Sequence, residues 1–217
     1  MNFDRGGTGV NRRPSAAVGW TGAAPMPDVT IYTIGHSTRE LDAFLTLLQR
    51  EGIQQLADVR TFPMSRRYPH FNREPLSRAL ADAGIAYAHY PELGGRRTPR
   101  RDSGNAAWRN AGFRGYADYM ESREFAEGIE RLVASASHLT TAIMCAEAVP
   151  WRCHRSLIAD ALTVRGVDVR HILDAGTKPH ALTSFAVVRD GRVSYPATSA
   201  DGENQPDLFE DDTPDRV

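Results

Sequence analysis

The chain predicts a three-layer α/β/α fold with a mainly parallel sheet of about five strands and a C-terminal β-hairpin. Three observations carry that expectation. Short β-branched apolar runs at residues 29–34, 54–59, 85–90, 140–144 and 167–173 read as buried strands. Stretches with apolar residues at helical spacing lie between them, and Gly52, Gly84 and Gly166 close three of these. Polar motifs follow the strand ends, where open α/β sheets bind ligands.

In chain order, the first strand runs into Gly35-His36-Ser37. Ser37-Thr-Arg-Glu40 matches a capping box, and Leu41, Phe44, Leu45 and Leu48 form the inward face of the helix behind it. The second strand ends in Asp58-Val59-Arg60, followed by a basic, turn-rich segment with Ser65, Arg66 and Arg67. Asn72 is placed to cap the next helix, with Pro75 in its first turn. The third strand closes on Glu92-Leu-Gly94-Gly95. Residues 96–114 read as a long polar loop bearing Arg100, Arg101 and Arg109, with Trp108 and Phe113 among them; loops of such length are usually functional. Tyr116 to Met120 and Ser122 to Ala134 read as helix, the second with Phe125, Ile129, Leu132 and Val133 inward. The fourth strand delivers Cys145-Ala-Glu147, and a helix opens near Cys153-His154-Arg155. After the fifth strand, Asp190-Gly191 sits between apolar residues as a hairpin turn.

Residues 1–27, rich in Gly, Pro and Ala, read as a disordered lead, and Met26 is an alternative start. Residues 28–196 form the expected single domain, and 197–217 an acidic, disordered tail. Net charge is −1, so there is no global field toward nucleic acid or membrane and any basic surface is local. No stretch is long and apolar enough to span a bilayer, and two cysteines without a secretory segment predict a reducing, cytoplasmic setting. Lys178 is the one lysine among 26 cationic residues, a bias that codon usage explains as readily as function.

The densest chemistry lies between Cys145 and Arg155: both cysteines, Glu147, Arg152 and His154. A helix N-terminus lowers a nearby thiol's pKa and attracts anions, so Cys145 or Cys153 is the expected nucleophile, with His36 or His154 as acid/base and Glu147 and Asp58 in support. Ser37, Arg60, Ser65, Gly94, Gly95, Tyr116, Arg152 and Arg155 are the expected anion-binding set. No cofactor is expected; zinc at Cys145, Cys153 and His154 is a minor alternative, because the paired knuckle spacing of zinc sites is missing. Arg66, Arg67, Arg100, Arg101 and Arg109, interleaved with Tyr68, Phe71, Trp108 and Phe113, suit a phosphate track with stacking platforms, hence DNA or RNA. Against each stands a plainer role: a buried thiol, a capping serine, a structural Asp58–Arg60 ion pair, a solvated basic face.

Ile34-Gly-His-Ser, Asp58-Val-Arg with Pro63 and Ser65, Leu93-Gly-Gly, Tyr116-Ala-Asp-Tyr-Met120 and Cys145-x-Glu147…Cys153-His-Arg155 together resemble the domain of unknown function 488 family, in order and over about residues 29–196. That resemblance implies no established activity. A second likeness, of layout alone, is to rhodanese and cysteine-phosphatase domains, in which a strand also delivers a cysteine into a loop that opens a helix. Here Arg152 lies seven residues after Cys145 and Pro150 interrupts, so a tight phosphate cradle on Cys145 is not expected. The resulting expectation is a cysteine-dependent enzyme acting on a phosphate-bearing substrate, with nucleic acid in DNA metabolism or repair as one such substrate. The alternative is a non-catalytic nucleic-acid-binding module. In the tail, Gln205-Pro-Asp-Leu208-Phe209 resembles the peptide by which bacterial replication and repair proteins bind the sliding clamp, and implies that partner.

Overall fold

The structure is a computed structural model that describes residues 29–197. The Gly/Pro/Ala-rich lead and the clamp-like peptide at Gln205, Leu208 and Phe209 lie outside the described residues.

β1 (Thr30–Gly35), β2 (Gln55–Asp58), β3 (Ala86–His89), β4 (Thr141–Cys145) and β5 (Asp168–Leu173) pair in parallel, in the order β3-β2-β4-β1-β5. A further strand, β6 (Gly176–Pro179), adds antiparallel to β5, so the sheet has six strands where about five were expected. Thr-Lys-Pro offers no apolar alternation, and only pairing with β5 makes this segment a strand. The hairpin of β7 (Val187–Arg189) and β8 (Arg192–Ser194) turns on Asp190 and Gly191, both at positive φ, as a two-residue hairpin requires.

Among the described residues, five α-helices cover the sheet. α1 (Leu41–Arg50) and α2 (Arg73–Asp82) lie on one face, where Phe44, Leu48, Leu76 and Leu80 pack with Ile34, Leu56, Ala142 and Met144. α3 (Ala111–Tyr119), α4 (Arg123–Ala136) and α5 (Arg155–Thr163) take the other, against Ile31, Ala57, Ile143 and Cys145. The alternation of Ala142 and Met144 with Ile143 and Cys145 along β4 is the period-2 split that feeds two cores.

Two helix starts differ from expectation. α1 begins at Leu41 with Glu40 at its N-cap and no side-chain cap bond, so Ser37 caps nothing. Ser37 instead adopts φ +48 and donates its N–H to the Ala146 carbonyl, which ties the loop after β1 to the loop after β4. α3 begins at Ala111, inside the stretch read as loop, because the Asn110 side chain accepts from the Gly112 and Phe113 amides. Asn72 does precede α2, but its side-chain oxygen accepts from the Ser65 amide.

β1 and β4 are neighbours whose following chains depart to opposite faces, β1 to α1 and β4 to α5. Two such departures open a crevice at the carboxyl edge of the sheet. The motifs after β1, β2 and β4 meet there.

Candidate functional site

A cleft of 1510 Å³ occupies that crevice. Its lining includes His36, Ser37, Arg60, Ser65, Gly95, Tyr116, Cys145, Glu147, Arg152, Cys153 and His154, brought from six separate stretches of chain.

At its base the two sulfurs and one imidazole nitrogen converge. His154 Nδ1 lies 3.8 Å from Cys145 Sγ and 3.7 Å from Cys153 Sγ, and these donor atoms all lie within 4.8 Å of one another, close enough to hold a metal ion. The opposite nitrogen, Nε2, lies 3.1 Å from the Val59 carbonyl. A carbonyl only accepts, so Nε2 carries a proton; Nδ1 faces both sulfurs, as a lone pair in the neutral ring and as a second N–H donor when the ring is charged. Tyr116 packs its ring 5.0 Å from that of His154 and donates its hydroxyl to the Leu93 carbonyl. Gly95 abuts the same imidazole: a Cβ there would lie 2.9 Å from His154 Nδ1.

Cysteine electrostatics are unequal. The hydrogen bond with Cys153 and burial push the Cys145 thiol well up. Burial also opposes charge at Cys153, but the Cys145 hydrogen bond, His154 and Arg155 outweigh it and hold that thiol well below its ordinary value. Cys153 stands at the start of α5, where the Arg155 amide lies 3.5 Å from its sulfur. Glu147, exposed at the cleft, has its carboxyl raised by partial desolvation and by the Cys153 charge.

Arg60 and His36 form the opposite wall. Arg60 is bound by both Asp58 oxygens, with Nε–Oδ1 at 2.9 Å and Nη2–Oδ2 at 2.6 Å, and donates Nη2 to the Phe71 carbonyl and Nη1 to His36 Nε2. A guanidinium has five N–H donors; these bonds occupy four, which leaves a single Nη1 proton for a ligand. Asp58, wholly buried and bonded also by the Tyr87 hydroxyl, orients Arg60 and does not line the cleft. His36 gives Nδ1–H to the Ser37 carbonyl, accepts Arg60 at Nε2 and stacks on Phe71. Burial, then Arg60, lowers its pKa to about 4, so it is neutral at neutral pH.

The remaining expected residues divide. Arg66, Arg67, Arg96 and Arg152 line the cleft with Ser65, whose hydroxyl accepts from the Tyr68 amide. Arg155 does not: it is buried, and donates to the Glu147 and Ala148 carbonyls and the Thr33 hydroxyl. Its work is to hold the loop that carries Glu147. Gly94 is buried outside the lining, where a Cβ would lie 2.7 Å from the Thr61 hydroxyl. Arg100, Arg101 and Arg109 lie outside the lining, and Arg100 pairs with Glu121 at 2.7 Å. Trp108 and Phe113 are buried and stack on each other at 4.7 Å; Trp108 lies outside the lining, while Phe113 also lines the cleft. The exposed apolar side chains near this edge are Phe62, Met64 and Trp151, none of which was singled out in the sequence. Asp118 stands beside Phe113, Tyr116 and Ala117 on α3 and is buried. It binds the Ser103 hydroxyl, the Asn105 amide group and the Arg100 amide, and so shapes the long loop.

Among the described residues no helix is long and apolar enough to cross a membrane. Comparison with curated proteins and with solved structures returned no match. The family model described as Domain of unknown function DUF488 matches residues 40–162, more than half of the chain and all of the cysteine–histidine cluster. The chain belongs to the DUF488 family.

Proposed function

We propose that this protein is a cysteine-dependent enzyme acting on a phosphate-bearing substrate, with Cys145, Cys153 and His154 as its reactive centre. One observation carries the reading: two sulfurs and an imidazole nitrogen converge in a cleft whose lining also holds Arg60, Arg66, Arg67, Arg96 and Arg152, with Glu147 the one carboxylate among its lining residues. Arg66, Arg67, Arg96 and Arg152 supply flexible cationic contacts at the wall, and Arg60 supplies one fixed N–H on a rigid support. Glu147, its carboxyl raised by partial desolvation and by the Cys153 charge, faces the cleft as the acid/base candidate for a leaving oxygen. His154 fixes both sulfurs.

The test is a panel of phosphomonoesters, mononucleotides and single-stranded oligonucleotides assayed with wild type, Cys145→Ser, Cys153→Ser and Glu147→Gln. Loss of turnover in each cysteine variant, and a fall of about 100-fold or more in Glu147→Gln, is expected. Turnover retained by both cysteine variants would overturn the reading.

A second reading, a nucleic-acid-binding module without covalent chemistry, is favoured by Phe62, Met64 and Trp151, which are exposed near the same arginines. Binding of single-stranded DNA or RNA that weakens with salt, and is lost in Arg66→Ala/Arg67→Ala while persisting in Cys153→Ser, supports it; no binding at low salt removes it.

A further inference from the structure

We infer that Cys145, Cys153 and His154 are three ligands of a zinc ion whose fourth ligand comes from the cleft. The inference rests on the proposed reading of this cluster as the reactive centre and names its cofactor.

Tetrahedral zinc takes sulfur at 2.3 Å and imidazole nitrogen at 2.0–2.1 Å, which sets each S···N edge at about 3.6 Å. The two edges here are 3.8 Å and 3.7 Å. The donor set is that of a soft tetrahedral cation, since two sulfurs and one nitrogen suit zinc far better than magnesium or calcium.

The imidazole is also prepared as a ligand. Metal-bound histidines usually give their other ring N–H to a carbonyl or carboxylate, which fixes the tautomer and the ring plane. His154 Nε2 meets the Val59 carbonyl at 3.1 Å, and the Tyr116 ring flanks it. Gly95 keeps space open at Nδ1, where a Cβ would lie only 2.9 Å away. The Gly95 carbonyl is held in turn by the Thr61 hydroxyl at 2.9 Å.

Two of the ligands are consecutive in the chain and the third lies at the end of β4, so the ion would bridge the strand end to the start of α5. That placement explains why the sequence lacks a knuckle: the pairing is made by the sheet and not by a short loop. All three donors line the cleft, so an open tetrahedral position would face the space that Arg60, Arg66, Arg67, Arg96 and Arg152 also line. Three protein ligands with one open position is the pattern of catalytic zinc, whereas structural zinc is enclosed by four.

The experiment uses the full chain, purified reduced and stripped with chelator, then titrated with zinc alone and with cobalt alone. One zinc per chain is expected, together with a cobalt spectrum showing thiolate charge transfer and the intense visible bands of tetrahedral geometry. Cys145→Ser, Cys153→Ser and His154→Ala should each weaken zinc by about 100-fold or more, the upper end of what losing a mere supporting partner costs. Should a variant fail to fold, protection of both wild-type cysteines from iodoacetamide by zinc gives the same answer. No zinc uptake by folded wild type, an octahedral cobalt spectrum, or unchanged affinity in the cysteine variants would overturn the inference. Phosphate-ester turnover that needs both cysteines without zinc would leave the enzyme reading standing alone. Zinc uptake without turnover on any phosphate ester would do the reverse.

Discussion

Single residues set the sharpest constraints at the carboxyl edge. Gly35 is at the end of β1, and a Cβ there would lie 1.7 Å from the Glu147 carbonyl oxygen and 2.8 Å from an Arg155 guanidinium nitrogen. No rotamer relieves a clash with backbone, so Gly35→Ala is expected to cost about 3 kcal/mol or more, measured by urea unfolding. His36 and His171 carry the pH response. Burial and nearby cations lower their pKa values from 6.5 to about 4 and about 3. Below pH 6.5 the unfolded chain takes up these protons and the folded one does not. Stability therefore falls as pH drops from 6.5 to 4, by about 1.4 kcal/mol per pH unit for each histidine. Thermal melts across that range should show it, and replacing either histidine with asparagine should roughly halve the slope.

At the scale of elements, the loop between β3 and α3 depends on a carboxylate that lies outside it. Asp118 of α3 is buried and collects the Ser103 hydroxyl, the Asn105 side-chain amide and the Arg100 backbone amide. Gly115 lets the loop approach, because a Cβ there would lie 2.3 Å from the Arg97 carbonyl oxygen. Asp118→Ala should cost about 3 kcal/mol and speed amide exchange of residues 97–107 ahead of the sheet, since it removes a charged acceptor from three donors at once. Much of the element list was legible beforehand. The β-branched runs and the glycines at positive φ after α1, α2 and α5 mark local preferences that tertiary packing did not overrule. β6 was not legible, because a Gly-Thr-Lys-Pro segment becomes a strand only when β5 offers an edge to pair with. Ser37 misled for a related reason: its spacing to Glu40 satisfies a capping box, yet the loop after β4 supplies a competing acceptor for its amide.

The whole molecule is tied together by a buried polar chain. Thr33 meets His171 at 2.8 Å, His171 meets His180 at 3.0 Å, and His180 meets Asp160 at 2.8 Å, linking β1, β5, the residue after β6 and α5. Asp160 also accepts the Thr183 amide and hydroxyl and the Tyr195 hydroxyl, which docks the C-terminal segment. Asp160→Ala strands all of these donors, so a global loss of about 3–5 kcal/mol is expected in urea, with one cooperative transition retained. Charge acts at this scale too. The chain carries net −1, yet the cleft wall gathers Arg60, Arg66, Arg67, Arg96 and Arg152. Anion affinity at that wall should therefore fall as salt rises toward 0.5 M, read by isothermal titration with a phosphate ester.

The sequence by itself determined the order of the parallel strands' segments, the helices between them, and the edge at which polar motifs gather, because strand and helix periodicity are local properties of side chains. It also singled out Cys145, Cys153, His154, Glu147 and Arg60 by residue type and by position after strands. Only the tertiary structure decided which of the candidates meet. The insertion of β4 between β1 and β2 brings Val59 to within hydrogen-bond reach of His154, residues 95 positions apart in the chain. The same packing turned Arg155 inward, drew Trp108 and Phe113 into the core, and left Phe62, Met64 and Trp151 exposed. Strand order and burial depend on how distant apolar faces compete for one sheet, and no window of sequence contains that competition.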